Sequence, residues 1–281
     1  MNVSKCFNSF FQDKKVIVTG HTGFKGSWLT AWLLRLGAKV YGFSESYLKS
    51  PSHFELLQIE DKINHQLGDI RNFKEISEYI NKVKPDVIFH LAAQAIVSSS
   101  YEDPLNTITT NITGTANILE VCRLIDNKCS IVLITSDKCY ENKEWIWGYR
   151  ENDQLGGKDI YSASKGSAEL VIRSYLESFF KSENVSISIA RAGNVIGGGD
   201  WAKDRVIPDI FRAWSANEYV SIRSPNSTRP WQHVLEPLSG YLTLAEQLWH
   251  NRKLHSQAFN FGPIAQVNQP VIKLVQELTN Y

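Results

Sequence analysis

The sequence predicts an α/β fold: a doubly wound parallel sheet carrying a smaller C-terminal lobe. Two observations lead there. An apolar, β-branched run, Val16 to Val18, passes through glycines at three-residue spacing (Gly20, Gly23, Gly26) into a helical stripe of Trp28, Leu29, Trp32, Leu33 and Leu36. Beyond it, short buried-strand runs and amphipathic helical stripes alternate as far as Asn194, the pattern of successive parallel βαβ units.

A strand that turns through glycines into a helix has the layout of a dinucleotide site. Gly20 allows the tight turn, Gly23 lets a pyrophosphate approach the backbone, and Gly26 lets helix and strand pack closely. The helix N-terminus adds free N–H groups and a positive dipole end. The spacing is G-x-x-G-x-x-G rather than the common G-x-G-x-x-G, so the glycines alone leave open a turn without a ligand. His21 and Lys25 face either cofactor phosphates or water.

Gly37 stands where a glycine ends the first helix, and Lys39 to Phe43 predicts the second strand. Its end, Phe43-Ser44-Glu45, offers Glu45 for an adenosine ribose, and the lack of a directly following arginine disfavours NADP. A helical patch near Phe54 to Ile59 precedes a third strand closed by Gly68-Asp69-Ile70-Arg71. Asn72 and Glu75 have capping-box spacing ahead of the stripe Phe73, Ile76, Ile80, Val83. Val87 to Leu91 predicts the fourth strand, and Ala92-Ala93-Gln94 follows it. Asp103-Pro104 caps a long helix reaching about Ile125. Ser130 to Thr135 is the fifth strand, Tyr161 to about Phe180 a helix, and Val185 to Ala190 the sixth strand. The texture then becomes loop-rich, with short helices near Ile207 to Trp214 and Pro237 to Leu248. Residues 1–193 are expected to form a Rossmann-like NAD-binding domain, with 258–261 returning to its sheet. Residues 194–281 are expected to form a substrate-binding lobe.

Composition narrows the function. Hydrophobic residues are 43%, charged residues 21% and the formal net charge is +1, so no global field favours nucleic acid or a membrane surface. No apolar run reaches the length of a membrane span, and residues 1–13 lack the pattern of a signal peptide. Cys6, Cys122, Cys129 and Cys139 have no metal or redox spacing and read as reduced thiols of a cytoplasmic protein. No metal cluster and no Ser-His-Asp triad is evident. His90 and His233 read as structural.

In open α/β sheets, ligands lie beyond the carboxyl ends of the strands. Gly20–Gly26, Asp69, Ala92–Gln94, Ser136–Lys138 and Asn194 all fall there. Tyr161 and Lys165 share one face at a helix start. A neighbouring ammonium lowers a phenol from its usual value near 10, which would suit Tyr161 to act as a base.

Several segments carry a family resemblance: Gly20-His-Thr-Gly-Phe-Lys-Gly-Ser-Trp28, His90-Leu-Ala-Ala-Gln94, Thr135-Ser-Asp-Lys-Cys-Tyr140, Tyr161-Ser-Ala-Ser-Lys165, the run Arg191 to Trp201, and Arg229-Pro-Trp-Gln-His233. The chain resembles the nucleotide-sugar branch of the extended short-chain dehydrogenase/reductases, and within it the CDP-glucose 4,6-dehydratase family. That resemblance implies oxidation of the glucosyl C4 with NAD, water loss across C5–C6 and hydride return to C6, in the service of deoxysugar and O-antigen synthesis. It implies a catalytic set of Ser136, Asp137, Lys138, Tyr161 and Lys165. Tyr161 with Lys165 would be the base for the 4-hydroxyl and Ser136 the donor to the forming carbonyl. Asp137 would be the acid for the C6 hydroxyl, and Lys138 the base for C5–H, each needing a desolvated site. The resemblance further implies cofactor contacts from Gly20, Thr22, Gly23, Phe24, Lys25, Gly26, Ser44, Asp69, Ile70, Leu91, Ala92, Ala93 and Gln94, together with Tyr161 and Lys165. Substrate contacts fall to Gln94, Asn194, Arg205, Val206 and Arg229, the arginines suiting a pyrophosphate. A homo-oligomer is expected. Family members continue past Tyr281, and this chain stops inside a predicted helix, Val271 to Leu278, so part of the substrate lobe is expected to be missing. The competing readings are an epimerase or 4-keto reductase, which has no use for Asp137-Lys138, and a dinucleotide sensor, which has no use for Tyr161 and Lys165.

Overall fold

A computed structural model describes residues 7–46, 50–181, 184–264 and 267–279; Cys6 lies outside them. β1 (Lys15–Thr19) leads through the glycine turn into α1 (Phe24–Arg35), and Gly37, at φ +81°, releases the chain just past the helix end. β2 (Lys39–Ser44) lies parallel beside β1, with Ile17 opposite Tyr41. The short α2 (His53–Leu57) is capped by Ser52, and β3 (Asn64–Leu67) forms the sheet edge. Asn72 caps α3 (Phe73–Val83), as its spacing with Glu75 predicts. The reciprocal half of the capping box is absent, because the Glu75 carboxylate instead accepts from the Asp69 backbone N–H (3.2 Å).

β4 (Val87–His90) pairs with the other side of β1. A short α4 (Val97–Glu102), which the sequence does not announce, precedes α5 (Pro104–Ile108), capped by Asp103. The predicted long helix is interrupted by one wide π-type turn, Thr109–Thr113, before α6 (Gly114–Cys122). Such turns insert a residue into the ladder and re-aim a side chain; here Asn111 points under the site. β5 (Cys129–Ile134), α7 (Ile160–Phe179) and β6 (Val185–Ala192) complete the regular alternation. Then come β7 (Val195–Ile196), α8 (Val206–Ser215), β8 (Thr228–Pro230), β9 (Gln232–His233), α9 (Leu235–His250), β10 (Ala258–Phe261), β11 (Asn268–Pro270) and α10 (Val271–Leu278).

The seven strands of the main sheet are parallel and run in the order β10-β6-β5-β4-β1-β2-β3, so the winding reverses between β1 and β4. A crevice opens at the carboxyl ends of the strands at such a switch point. One face of the sheet is covered by α3, α6 and α7 through Ile76, Ile80, Ile118, Leu119, Ile172 and Leu176. The other is covered by α1 and α9. The sequence places α9 in the substrate lobe as a short helix; it has 16 residues and packs against β5 and β6, its Leu238, Tyr241, Leu242 and Ala245 sharing one core cluster with Val132, Ala190 and Ala192. Each of the two fully buried leucines contributes about 1.5–3 kcal/mol, and α9 also touches α1, which binds the last third of the chain to the first.

The turn between β1 and α1 has no room for a side chain at Gly20 or at Gly26. A Cβ on Gly26 would stand 2.0 Å from the Gly20 carbonyl oxygen. Gly26→Ala should therefore lower the unfolding free energy by about 1–3 kcal/mol through overpacking. Gly148→Ala, whose methyl would meet nothing within 4 Å, should stay within about 0.5 kcal/mol of the parent. Urea denaturation followed by circular dichroism compares the two.

Candidate active site

A cleft of about 2950 Å³ opens along the carboxyl ends of β1, β2, β4, β5 and β6 and is walled on its far side by α8, β8 and the loops beside them. Gly20, Thr22, Gly23, Phe24, Lys25 and Gly26 line its floor. No side chain caps α1 and no acid stands in its first turn. The helix thus presents a bare, positively polarised N-terminus to the cleft, which suits an anion.

The cofactor-side residues expected from the sequence all border the cleft, though not all offer their side chains to it. Ser44 is buried, and its hydroxyl is held by the His21 ring (2.8 Å) and the Thr22 N–H (3.3 Å). His21 itself is turned inward, away from any phosphate, because Gly42 leaves room beneath β2: a Cβ there would meet the His21 ring at 2.5 Å. Burial lowers this imidazole to about 4, so it is neutral. Asp69 and Glu45 both pair with Arg71, at 2.6 and 2.8 Å, so the expected ribose acceptor Glu45 already serves a guanidinium. The Gln94 amide is likewise committed, donating to the Ile96 carbonyl and to Thr107 and accepting from the Ile96 N–H. Ile70, Leu91, Ala92 and Ala93 complete this wall. His90 is structural, as expected: it sits between Thr19 and Thr115, and burial lowers it to about 3.

The five catalytic candidates converge at the middle of the cleft. Ser136 ends β5, and a single 3-10 turn, Asp137–Cys139, follows it. Ser136 Oγ donates to Asp137 Oδ1 (2.9 Å) and accepts from the Lys138 N–H (3.2 Å). The Ser136 side chain also acts on the Tyr161 phenol, lowering it against the burial that raises it. Tyr161 and Lys165 lie one turn apart at the start of α7, whose first N–H groups are capped by Asp159. One expectation is corrected here. The Tyr161 phenol is not lowered by its lysine; burial, aided by the Asp137 carboxylate, raises it to about 12. Lys165, itself only 6% exposed, is pushed down to about 8 by the same desolvation. Lys25 is also pushed down to about 8, by burial and by the nearby Arg205.

On the substrate side, Asn194 and Val206 line the cleft. Arg205 forms an ion pair with Asp200 (2.8 Å), an acid only 8% exposed that the sequence reading did not single out. Arg229 is more loosely held, donating only to the adjacent Thr228 carbonyl in the hydrogen bonds observed, on a strand paired with β11. His233 is exposed and lines the cleft, with its ring edge against Trp28. The sequence reading also missed a buried ion pair, Glu169–Arg191, behind the catalytic turn. Its signal was available: Glu169 follows Lys165 by four residues on the buried face of α7, where an acid needs a partner. A ladder of rings at the rim, with Tyr149 stacked on both Tyr140 and Trp145, was legible only as a Trp-rich loop. Among the described residues, no group of three His, Cys, Asp or Glu side chains is arranged to hold a metal, and no helix is long and apolar enough to cross a membrane.

Comparison with known proteins agrees with this geometry. The family model described as GDP-mannose 4,6 dehydratase matches residues 17–257. A CDP-glucose 4,6-dehydratase of Salmonella typhimurium is 51% identical over 260 residues, covering 91% of this chain and 72% of that protein. An epimerase from Methanothermobacter thermautotrophicus superposes with a TM-score of 0.82 at 25% identity, over 99% of this chain and 80% of its own. The dTDP-glucose 4,6-dehydratase of Streptomyces venezuelae, solved with NAD bound, has a TM-score of 0.80 at 20% identity, over 95% of this chain and 80% of its own, a likeness of fold.

The depressed Lys165 has a measurable consequence. Between its folded value of about 8 and the ordinary 10.5 of an exposed lysine, the unfolded chain binds the extra proton, so stability rises with pH across that window. It is lost as pH falls through about 8. Lys165→Met removes this dependence. Urea midpoints at about pH 7.5 and about pH 9.5 should show the stability difference between wild type and variant moving in the wild type's favour at the higher pH.

Proposed function

The chain belongs to the GDP-mannose 4,6-dehydratase family, and from that premise we propose that it converts CDP-glucose to CDP-4-keto-6-deoxyglucose. It is an NAD-dependent enzyme acting on a nucleotide sugar. The observation that carries the proposal is that the hydrogen-bonded turn Ser136–Asp137–Lys138 borders one cleft together with Tyr161, Lys165 and the bare N-terminus of α1.

The residues present fit the dinucleotide. The glycine turn brings backbone to the cleft surface, and the uncapped helix end and Lys25 supply donors and positive charge for a pyrophosphate. Thr22, Asp69, Ile70 and Leu91 to Gln94 would line the remainder. When bound, the dinucleotide would supply the hydride acceptor for C4 and the hydride donor for C6, and its cationic oxidised form would favour ionisation of a phenol that the protein alone leaves too weak an acid.

In this reading Tyr161 takes the proton of the C4 hydroxyl, with Lys165 beneath it, and Ser136 donates to the carbonyl oxygen that forms. For the elimination Lys138 would act as the neutral amine, removing the C5 proton made acidic by the adjacent carbonyl, and Asp137 as the protonated acid, passing its proton to the departing C6 hydroxyl; the two are left as ammonium and carboxylate and exchange that proton to reset. Neighbouring carbons are thus served by neighbouring residues of one turn. An epimerase inverts C4 without touching C5–C6 and needs neither group, so Asp137-Lys138 favours the dehydratase over the epimerases that share the fold. Arg205, Arg229, Asn194 and Val206 would hold the nucleotide sugar, with residues 194–281 supplying most of that wall. The exposed Leu105 and Leu170 support a homo-oligomer, and the buried free thiols Cys122, Cys129 and Cys139 suit a reducing cytoplasm.

The decisive assay incubates the protein with NAD and a panel of nucleoside-diphosphate glucoses and looks for a 4-keto-6-deoxy product; none from CDP-glucose would defeat the proposal. Tyr161→Phe should reduce turnover by about 10²–10⁴-fold with the fold intact by circular dichroism. A loss smaller than about tenfold would exclude Tyr161 as the base.

Asp137→Asn and Lys138→Met should spare C4 oxidation and block elimination, so that a 4-keto-glucose species accumulates in a single turnover. Deuterium exchange at C5 in heavy water separates the two: lost in Lys138→Met, retained in Asp137→Asn. Formation of 6-deoxy product at the wild-type rate by both variants would remove these roles.

A further inference from the structure

Glu169 and Arg191 have no place in the reaction just described, yet both side chains are wholly shielded from solvent. Burying two charges costs more than their attraction returns unless further hydrogen bonds satisfy them, and where those bonds go is informative. Arg191 Nε donates to Glu169 Oε1 (2.7 Å), and Nη2 donates to Oε2. Glu169 Oε1 also accepts from the Thr135 hydroxyl (2.7 Å). Arg191 Nη1 donates to the Tyr140 hydroxyl (2.6 Å) and to the Glu151 carbonyl (2.9 Å), and the guanidinium lies 4.9 Å from the centre of the Tyr140 ring. Tyr140 in turn donates to Asn260 of β10 (2.7 Å).

Thr135 and Tyr140 are the residues immediately before and after Ser136-Asp137-Lys138-Cys139. Both ends of the turn are therefore tied through side-chain hydroxyls to one buried ion pair. Glu169 also stands on the same face of α7 as Lys165 and Tyr161, four and eight residues before it, so the pair links the helix that carries the base to the turn that carries the acid. We infer that the Glu169–Arg191 pair is a positioning clamp for the catalytic turn, holding Ser136, Asp137 and Lys138 in register with Tyr161 through Thr135 and Tyr140. Its role in turnover rests on the dehydratase reading. Its role in ordering the turn does not.

The hydroxyls allow a test that leaves the ion pair in place, since Glu169→Gln or Arg191→Met would risk unfolding the protein. Thr135→Val and Tyr140→Phe each remove one tie. Backbone amide hydrogen exchange over residues 136–139 should quicken in both and return to the wild-type pace in Thr135→Ser, which keeps the hydroxyl. With CDP-glucose and NAD, kcat should fall by about tenfold or more in each variant, towards the roughly 10²-fold that small misplacements cost, while both KM values stay within about threefold. Thr135→Ser should recover most of that loss. Because both ties act on one turn, the double variant should lose less than the product of the single losses. Exchange at the wild-type pace in both single variants overturns the inference, as does kcat within about threefold of wild type in both. A wild-type protein that leaves CDP-glucose unchanged defeats the functional reading, and the exchange data then decide the clamp alone.

Discussion

The site depends on how closely two stretches of backbone meet where β1 turns into α1. Gly26 packs on the carbonyl of Gly20, and Gly20 is wedged against the backbone of Ala92 at the exit of β4, 2.8 Å from where a Cβ would stand. The Gly20 N–H meanwhile donates to Phe43 at the end of β2 (2.8 Å). One turn is thereby fastened to both neighbouring strands at the point where the sheet reverses its winding. Helix direction, cleft floor and the separation of the two walls follow from that contact. Any side chain at these positions would move α1, and with it Trp28, whose indole N–H donates to Gly198 (3.0 Å) and holds the glycine tract from the far wall against the cofactor turn.

Charge inside the cleft follows a second logic. Lys25, Lys165, Arg205 and Asp137 interact across a partly desolvated space. Both lysines are depressed and the phenol is raised, which is unfavourable for the free protein and useful for a site that receives a pyrophosphate and a cationic ring. Functional sites commonly break the rules of polar satisfaction that the rest of a fold obeys. Several other charges in this protein do find partners. Arg71 answers both Asp69 and Glu45, Asp200 answers Arg205, and the buried Glu169–Arg191 pair has hydrogen-bond partners on both sides.

Local chemistry determined much of this in advance. Strand runs, helix stripes and caps are short-range patterns. So β1 through β6, the caps at Asn72, Asp103 and the C-terminal Gly37, and the convergence of the glycine turn, Ser136–Lys138 and Tyr161/Lys165 could all be read from residue order. The parallel alternation alone sends strand ends to one edge, and that is enough to gather a site.

What residue order could not carry was anything set by a distant partner. The direction of His21 was decided by the absence of a side chain at Gly42, 21 residues away and on another strand. The π-type turn at Thr109–Thr113 coincides with Asn111 reaching Gln94 and Ser164 (2.9 and 2.8 Å). The membership of α9 in the core was decided by the apolar face of a sheet whose strands beneath it, β5 and β6, lie 40 residues or more earlier in the chain. The Tyr161 phenol rose rather than fell because burial, which is a property of the packed whole, outweighs a lysine four residues away that is itself desolvated. Sequence therefore determined which groups meet in the cleft, whereas their ionisation, orientation and mutual restraint belong to the tertiary structure, because desolvation and steric exclusion arise only once the chain is packed.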